Sequence, residues 1–399
     1  MIAYNLSFLR NIALLKSAGK WHRKNLISDK QMAVCNEKFK TDFFSPNLFI
    51  KIALFLLTCI MIGGFNSLYF VIFDMASPGS GNSFWIFSCS FFFIVCLVSL
   101  ELFARKWNCY RSGIDEALLY SGLGYLITSL SLMMPNSMSA ENSILLVCIL
   151  SFPFLLAAAV RYTDSTVTLS VVLCFYMIFF LLIGKLGSIS KMLMPFAFMG
   201  ISVLIYFFTV MQKRKEHLFL WKKCFSLVQW SVLMIFYISC NYYVVRESSI
   251  EFFDMQIGEG EDIPLAFLFY FLTAAIPLFY IWVGLKKKDK MFLWSGLLLV
   301  AAASFTFKYY FSLGHPEIIL TLAGTVMVVV AYVSMRYLKG ADKHGLTLKE
   351  EEGDDNFLKT NAEAFAIAQA FSTPAADVKG SSADFGGGEF GGGGAGEKY

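Results

Sequence analysis

The chain has 399 residues, of which 57% are hydrophobic and only 16% charged, with 42 Phe and a mean hydropathy of +0.61. That composition lies well outside the soluble globular range and leaves an integral membrane protein as the class; no nucleic-acid partner is expected. The formal net charge of +4 decides little by itself, because in a membrane chain the placement of Lys and Arg sets the orientation.

The first 46 residues are a charged, water-soluble piece. Residues 2–15 are only intermittently apolar and are followed by basic residues, so no cleavable signal peptide is expected. A helix is expected over 5–24, with Leu6, Leu9, Ile12, Ala13 and Leu14 toward one side, ending at a break at Asn25. Ser28 with Gln31 three residues on has capping-box spacing, in which each end satisfies an orphan N–H of the other, and opens a second helix to about Lys40. The segment FFSPN, with Pro46, ties this helical hairpin to the first long apolar run.

Asn-Leu-Ile-Ser at 25–28, a polar helix, and then a first span containing IMIGGFN resembles the bacterial membrane proteins grouped as domain of unknown function 2157. The resemblance covers about the first 70 residues and implies a short helical region followed by many spans in a bacterial inner membrane. It implies no activity. The plainer reading of the hairpin is a basic segment lying near anionic lipid of the inner leaflet.

Crossing a hydrocarbon core takes about 20 helical residues. Apolar runs of that kind stand at 48–73, 83–103, 115–134, 142–160, 165–184, 192–211, 224–245, 263–285, 291–308 and 317–337. They are too long and too uniformly apolar for barrel strands, and helices satisfy their own backbone inside lipid. The expected fold is therefore all-α, a polytopic bundle of about ten transmembrane helices over 47–338. With both termini in the cytoplasm, 28 of the 33 Lys and Arg residues fall on the inner side, as the bias of basic residues toward the cytoplasm requires. The nine Cys are scattered without a C-x-x-C pair and read as small buried hydrophobes.

Chemistry within the spans is sparse. Lys51, Glu101, Asp115, Glu116, Lys308 and Glu317 all stand within about a turn of an expected membrane face, where long side chains snorkel or meet headgroups. Glu101 and Arg105 are spaced i,i+4 and read as a surface ion pair. Ten spans divide into five plus five, the arithmetic of inverted-repeat carriers. Gly63, Gly64 and Asn66 in the first span and Pro195 and Gly200 in the sixth mark a candidate substrate cavity. Lys308, His315 and Glu317 form a candidate polar cluster at the outer mouth of spans nine and ten. No protease, hydrolase, phosphate-loop or dinucleotide signature is present, and the four His lie in four different segments, so no cofactor and no metal are expected.

The outer loop RESSIEFFDMQIGEGED at 246–262 is acidic but lacks the spacing of a calcium loop. After Lys339 the chain turns acidic and then Gly-rich, ending DFGGGEFGGGGAGEKY, and a disordered cytoplasmic tail is expected over 339–399. Three functions stay open. The first is a non-enzymatic scaffold or sensory membrane protein engaging a cytoplasmic partner through the hairpin or the tail. The second is a small-solute carrier using the cavity between spans one and six. A lipid-modifying enzyme using the outer cluster is the third.

Overall fold

The computed structural model describes residues 2–310 except positions 24, 45, 77–81, 252–261 and 264, together with scattered positions from 321 to 336. The expectations for the Gly-rich tail, for His315 and Glu317, and for most of the acidic outer loop and of the tenth span fall outside the described residues.

Among the described residues the fold is all-helical, with a single isolated β-bridge between Phe44 and Cys109. Two helices form the N-terminal hairpin: α1 (Leu6–Arg23) and α2 (Asp29–Lys38). Asn25 makes the break between them in the left-handed region, at φ 56. The Ser28 side chain accepts from the Gln31 N–H, and the Gln31 side chain accepts from the Ser28 N–H at 2.9 Å, so both arms of the capping box are made.

The bundle comprises α3 (Leu48–Ala76), α4 (Asn82–Arg105), α5 (Ile114–Leu132), α6 (Ala140–Tyr162), α7 (Ser165–Gly184), α8 (Ser188–Lys213), α9 (Lys222–Cys240), α10 (Tyr242–Glu251), α11 (Ala266–Lys287) and α12 (Lys290–Tyr310). A short 3-10 segment, Glu216–Trp221, joins α8 to α9. Eight of these, α3, α4, α6, α7, α8, α9, α11 and α12, are long and apolar enough to cross a membrane. α5 stands apart from the eight because Asp115 and Glu116 occupy its first turn.

Neighbours in sequence pack as pairs: α4 with α5, α6 with α7, α8 with α9 and α11 with α12. α3 leans on α5, α5 also meets α6, and α9 touches α7, α8, α10, α11 and α12. One apolar core is built from α4 to α7 and includes Cys96, Leu100, Leu123 and Leu155. Another, around Tyr237, Cys240, Tyr280 and Leu299, unites α9, α11 and α12. Val172, Tyr176 and Val232 close the seam where α7 meets α9.

Glycines set how close α12 comes to α11 and α5 to α3. A Cβ at Gly296 on α12 would stand 2.6 Å from Ile281 Cγ1 and 2.9 Å from the Ile281 nitrogen on α11. Small residues at such crossings let backbones approach within lipid, where no hydrophobic force drives helix association. At the α5 N-cap, Gly113 adopts φ +96, and a Cβ there would collide with the Lys51 carbonyl of α3.

The seventh span differs from the uninterrupted run expected over 224–245. α9 stops at Cys240, Asn241 is extended at ψ 124, and α10 restarts at Tyr242. Polar side chains take up the broken backbone: Thr273 Oγ1 accepts the Tyr242 N–H at 3.0 Å and Asn241 Oδ1 the Val244 N–H at 3.4 Å, while Asn241 Nδ2 is anchored by donating to the Tyr237 and Thr306 hydroxyls at 3.0 and 2.9 Å. This is how irregular backbone survives away from water.

Candidate functional site

The densest polar arrangement lies at the end of the bundle on which the N-terminal segment docks. Short loops bring the α4 C-terminus, the α5 N-terminus, the α6 C-terminus and the α7 N-terminus to that end, and each contributes a side chain or a carbonyl. Asp115, only 3% exposed, is the centre. Its Oδ1 accepts from the Ser112 N–H at 2.9 Å and the Ser112 hydroxyl at 3.0 Å. Its Oδ2 accepts from the Arg111 N–H at 2.8 Å and from the Tyr4 hydroxyl at 3.1 Å. The carboxylate is thus fully solvated by protein at the positive end of α5, as burial of a charge demands.

Tyr4 is the part of this network that comes from the start of the chain. Its ring lies edge-on to Tyr110 at 4.9 Å, to Tyr162 at 6.3 Å and to Phe43 at 6.4 Å. Such T-shaped contacts satisfy the ring quadrupoles while the hydroxyl keeps its acceptor. Burial first, and then the Asp115 charge, hold the Tyr4 phenol well above the ordinary tyrosine range. One residue earlier, the Ala3 N–H donates to the Arg161 carbonyl at the end of α6, at 3.1 Å. From the other side of the hairpin, the Phe44 N–H donates to the Asn108 carbonyl at 3.2 Å, and Phe43 is buried. The N-terminal module is therefore latched to the bundle at both of its own ends.

Ion pairs surround the latch. Arg161 Nε meets Glu101 Oε1 at 2.6 Å, Arg105 Nε stands 2.9 Å from Glu101 Oε2, and the Tyr162 hydroxyl donates to Glu101 at 2.7 Å. The expected Glu101–Arg105 pair is present, and Arg161 makes it a link between α4 and α6. Lys51 of α3 reaches Glu116 of α5 at 2.6 Å. Asp164 caps α7 by accepting the Val167 N–H at 2.9 Å and also takes the Tyr120 hydroxyl at 3.1 Å. Asp115 departs from the expectation that it snorkels toward headgroups: the 106–113 loop and Tyr4 enclose it.

The residues expected to line a cavity between spans one and six stand on α3, which packs on α5, and on α8, which packs on α9. Gly63 and Gly64 on α3 and Gly200 on α8 are exposed, with open space where a side chain would begin. Asn66 Oδ1 is shut away from solvent and has no hydrogen-bond partner among the described residues. Pro195 lines a pocket of about 200 Å³ with Phe198, Ser239, Val244 and Ser249, beside the break between α9 and α10. Of the outer cluster, Lys308 is exposed near the end of α12.

Sequence reasoning missed Tyr4, Ser112 and Arg111 as partners of Asp115. The signal it had was an acidic pair two residues after Gly113, at the start of an apolar run, which fits a helix N-terminus without saying what binds there. Among the described residues no three His, Cys, Asp or Glu converge as metal ligands. What the arrangement does chemically is hold a charge and a phenol in a fixed hydrogen-bonded contact. No family model, curated protein or solved structure matches the chain.

Proposed function

We propose that this chain is a non-enzymatic scaffold or sensory protein of a bacterial inner membrane, with the N-terminal hairpin as the element a cytoplasmic protein engages. The reading includes ten crossings with both termini inside. It counts α5 as a crossing, since its 19 residues span about 28 Å at 1.5 Å per residue, and 317–337 as the last. The distribution of basic residues supports the orientation. The N-terminal resemblance to domain of unknown function 2157 proteins accords with it and adds no activity.

The observation that carries the reading is the latch. A soluble module whose first residues are hydrogen-bonded to α5 and α6 cannot leave without breaking the Tyr4–Asp115 and Ala3–Arg161 hydrogen bonds, so its position and the state of the bundle are coupled. Meanwhile α2 buries none of its residues, and Leu26 and Val34 are 68% and 60% exposed, leaving an apolar hairpin surface for a partner.

The test is site-specific photocrosslinking in cells from Leu26 and Val34, with and without Asp115→Asn. One protein of defined mass, captured by the intact latch and altered in yield by the variant, is the expected result. Crosslinks to lipid alone overturn the reading.

A second reading rests on the broken α9. Discontinuous helices with polar side chains at the break are how carriers present backbone groups to a solute, and the pocket holding Pro195, Ser239 and Ser249 adjoins it. On that reading the solute site lies between spans six and seven. A single Cys at Ser239, in a Cys-free background, labels from the aqueous phase if a carrier pathway reaches the pocket and stays protected if it does not.

A further inference from the structure

Between α6, α7, α8 and α9 runs a groove of about 350 Å³, with Leu156, Val171, Phe208 and Phe225 among its walls. Leu156 and Phe208 are 44% and 58% exposed, so the groove opens sideways on the surface of the bundle. Every polar side chain in its lining is already satisfied within the protein. Thr168 donates to the Asp164 carbonyl at 2.6 Å, Thr209 to Tyr206 at 2.8 Å, the Trp221 indole to Val160 at 3.0 Å and the Cys224 thiol to Asp164 at 3.9 Å. The Tyr176 hydroxyl shares a hydrogen bond of 2.7 Å with Ser202. Their donors are in use within the protein and the rest of the wall is apolar, so a hydrocarbon chain is what such walls accept.

One end of the groove is made by Trp221 and Cys224, at the latch end of the bundle. There the charge pattern changes. Lys223 lies in the chain between Trp221 and Cys224, which both line the groove; Arg111 and Lys16 act on its charge, and Asp164 and Arg111 act with opposite signs on Cys224. The three cations come from three separate elements: α1, the loop before α5, and the start of α9. None has a carboxylate within ion-pair distance among the described residues, whereas Lys51, Arg105 and Arg161 each have one. Asp164 on the same rim accepts from the Val167 N–H and the Tyr120 hydroxyl, both neutral donors, and keeps its negative charge. Lys16, Arg111 and Lys223 outnumber the two carboxylates beside them, Asp115 and Asp164, and basic pockets between helices on the cytoplasmic side are where anionic headgroups bind.

We propose that this site binds one anionic phospholipid, with an acyl chain in the groove and the headgroup phosphate against Lys16, Arg111 and Lys223. Because Lys16 belongs to the hairpin and the groove to the bundle, the lipid joins the two. The proposal goes beyond the scaffold reading and does not depend on a protein partner.

The experiment is native mass spectrometry of the purified full chain after delipidation and re-addition of phosphatidylglycerol or phosphatidylcholine. The wild type is expected to retain one phosphatidylglycerol in preference to phosphatidylcholine. The double variant K16Q/K223Q, which leaves the latch intact, should lower that preference by about fivefold for each charge removed. Val171→Trp, which fills the groove, should abolish retention of the bound lipid. Equal retention of the two lipids by the wild type overturns the headgroup assignment, and phosphatidylglycerol binding indifferent to Val171→Trp overturns the groove. Arg111→Gln, read by the same ratio, serves as a second charge variant should K16Q/K223Q fail to fold. Partner crosslinking from the hairpin is a separate readout, so failure of either proposal is visible by itself.

Discussion

Asp115 holds four donors, and removing it strands them. Asp115→Ala leaves the Arg111 and Ser112 N–H groups, the Ser112 hydroxyl and the Tyr4 hydroxyl without their acceptor in a buried place. Each such orphan costs about 1–3 kcal/mol. The variant should therefore lose most of its thermal stability in detergent, measured by the unfolding midpoint, while Tyr4→Phe, which gives up one bond, loses much less. Ionisation gives an independent check. Burial and the Asp115 charge raise the docked Tyr4 phenol above the unfolded value near 10. The folded latch keeps its proton where the unfolded chain gives it up, so its contribution is whole below about pH 10 and declines as the pH rises further. Tyrosinate absorbance followed through pH 10 should be the same in wild type and Tyr4→Phe; loss of one phenol's signal in the variant would sink the buried assignment. Gly113 is constrained in the same neighbourhood, for any Cβ there meets the Lys51 carbonyl in a backbone region that already disfavours side chains.

Helices in this chain pair by close approach at chosen points, and the contrast between glycines tests it. Gly296→Leu drives a side chain into Ile281 and the α11 backbone. Overpacking of this kind costs about 1–3 kcal/mol, so the unfolding midpoint should fall. Gly200→Ala meets open space, and replacing a helical Gly there should leave stability level or raise it by about 0.5–1 kcal/mol. Equal destabilisation by the two would mean that α8 carries a packed partner on its Gly200 face. The broken seventh span obeys a related logic. Asn241, Thr273 and Thr306 look like ordinary small polar residues in separate runs, yet Thr273 and Asn241 accept the Tyr242 and Val244 N–H groups at the break while Thr306 holds the Asn241 side chain in place.

At the scale of the molecule, the topology proposal turns on α5. If α5 crosses, a single Cys at Ser137, in the loop between α5 and α6, reacts with an impermeant maleimide from outside intact cells, and one at Arg111 reacts only after lysis. Labelling of both from the same side would remove α5 from the set of crossings and shift the orientation of everything after it. The latch end has a corollary. Ala3, Tyr4, Phe43 and the 106–113 loop close over the ends of α5 and α6, so truncating residues 1–5 should expose Asp115 and lower stability nearly as far as Asp115→Ala. The measurement is again the unfolding midpoint of the full-length and truncated chains in one detergent.

Much of this architecture is a local property. Hydropathy summed over about 20 residues decides whether a segment prefers lipid, and a capping box needs only residues three apart, so the all-helical membrane class, most helix positions and the Ser28–Gln31 turn were legible in the sequence. The site was not. Tyr4 and Asp115 are 111 positions apart, and Glu101 and Arg161 are 60, so their meeting depends on which helix ends share one side of the bundle and how the loops fold over them. Nor could composition tell a snorkelling carboxylate from one enclosed by four donors, since both sit in the first turn of an apolar helix. The break at Asn241 was hidden for the same reason: the partners that make it tolerable come from α11 and α12, and a polar residue in a span is costly or harmless according to what the tertiary structure places opposite it.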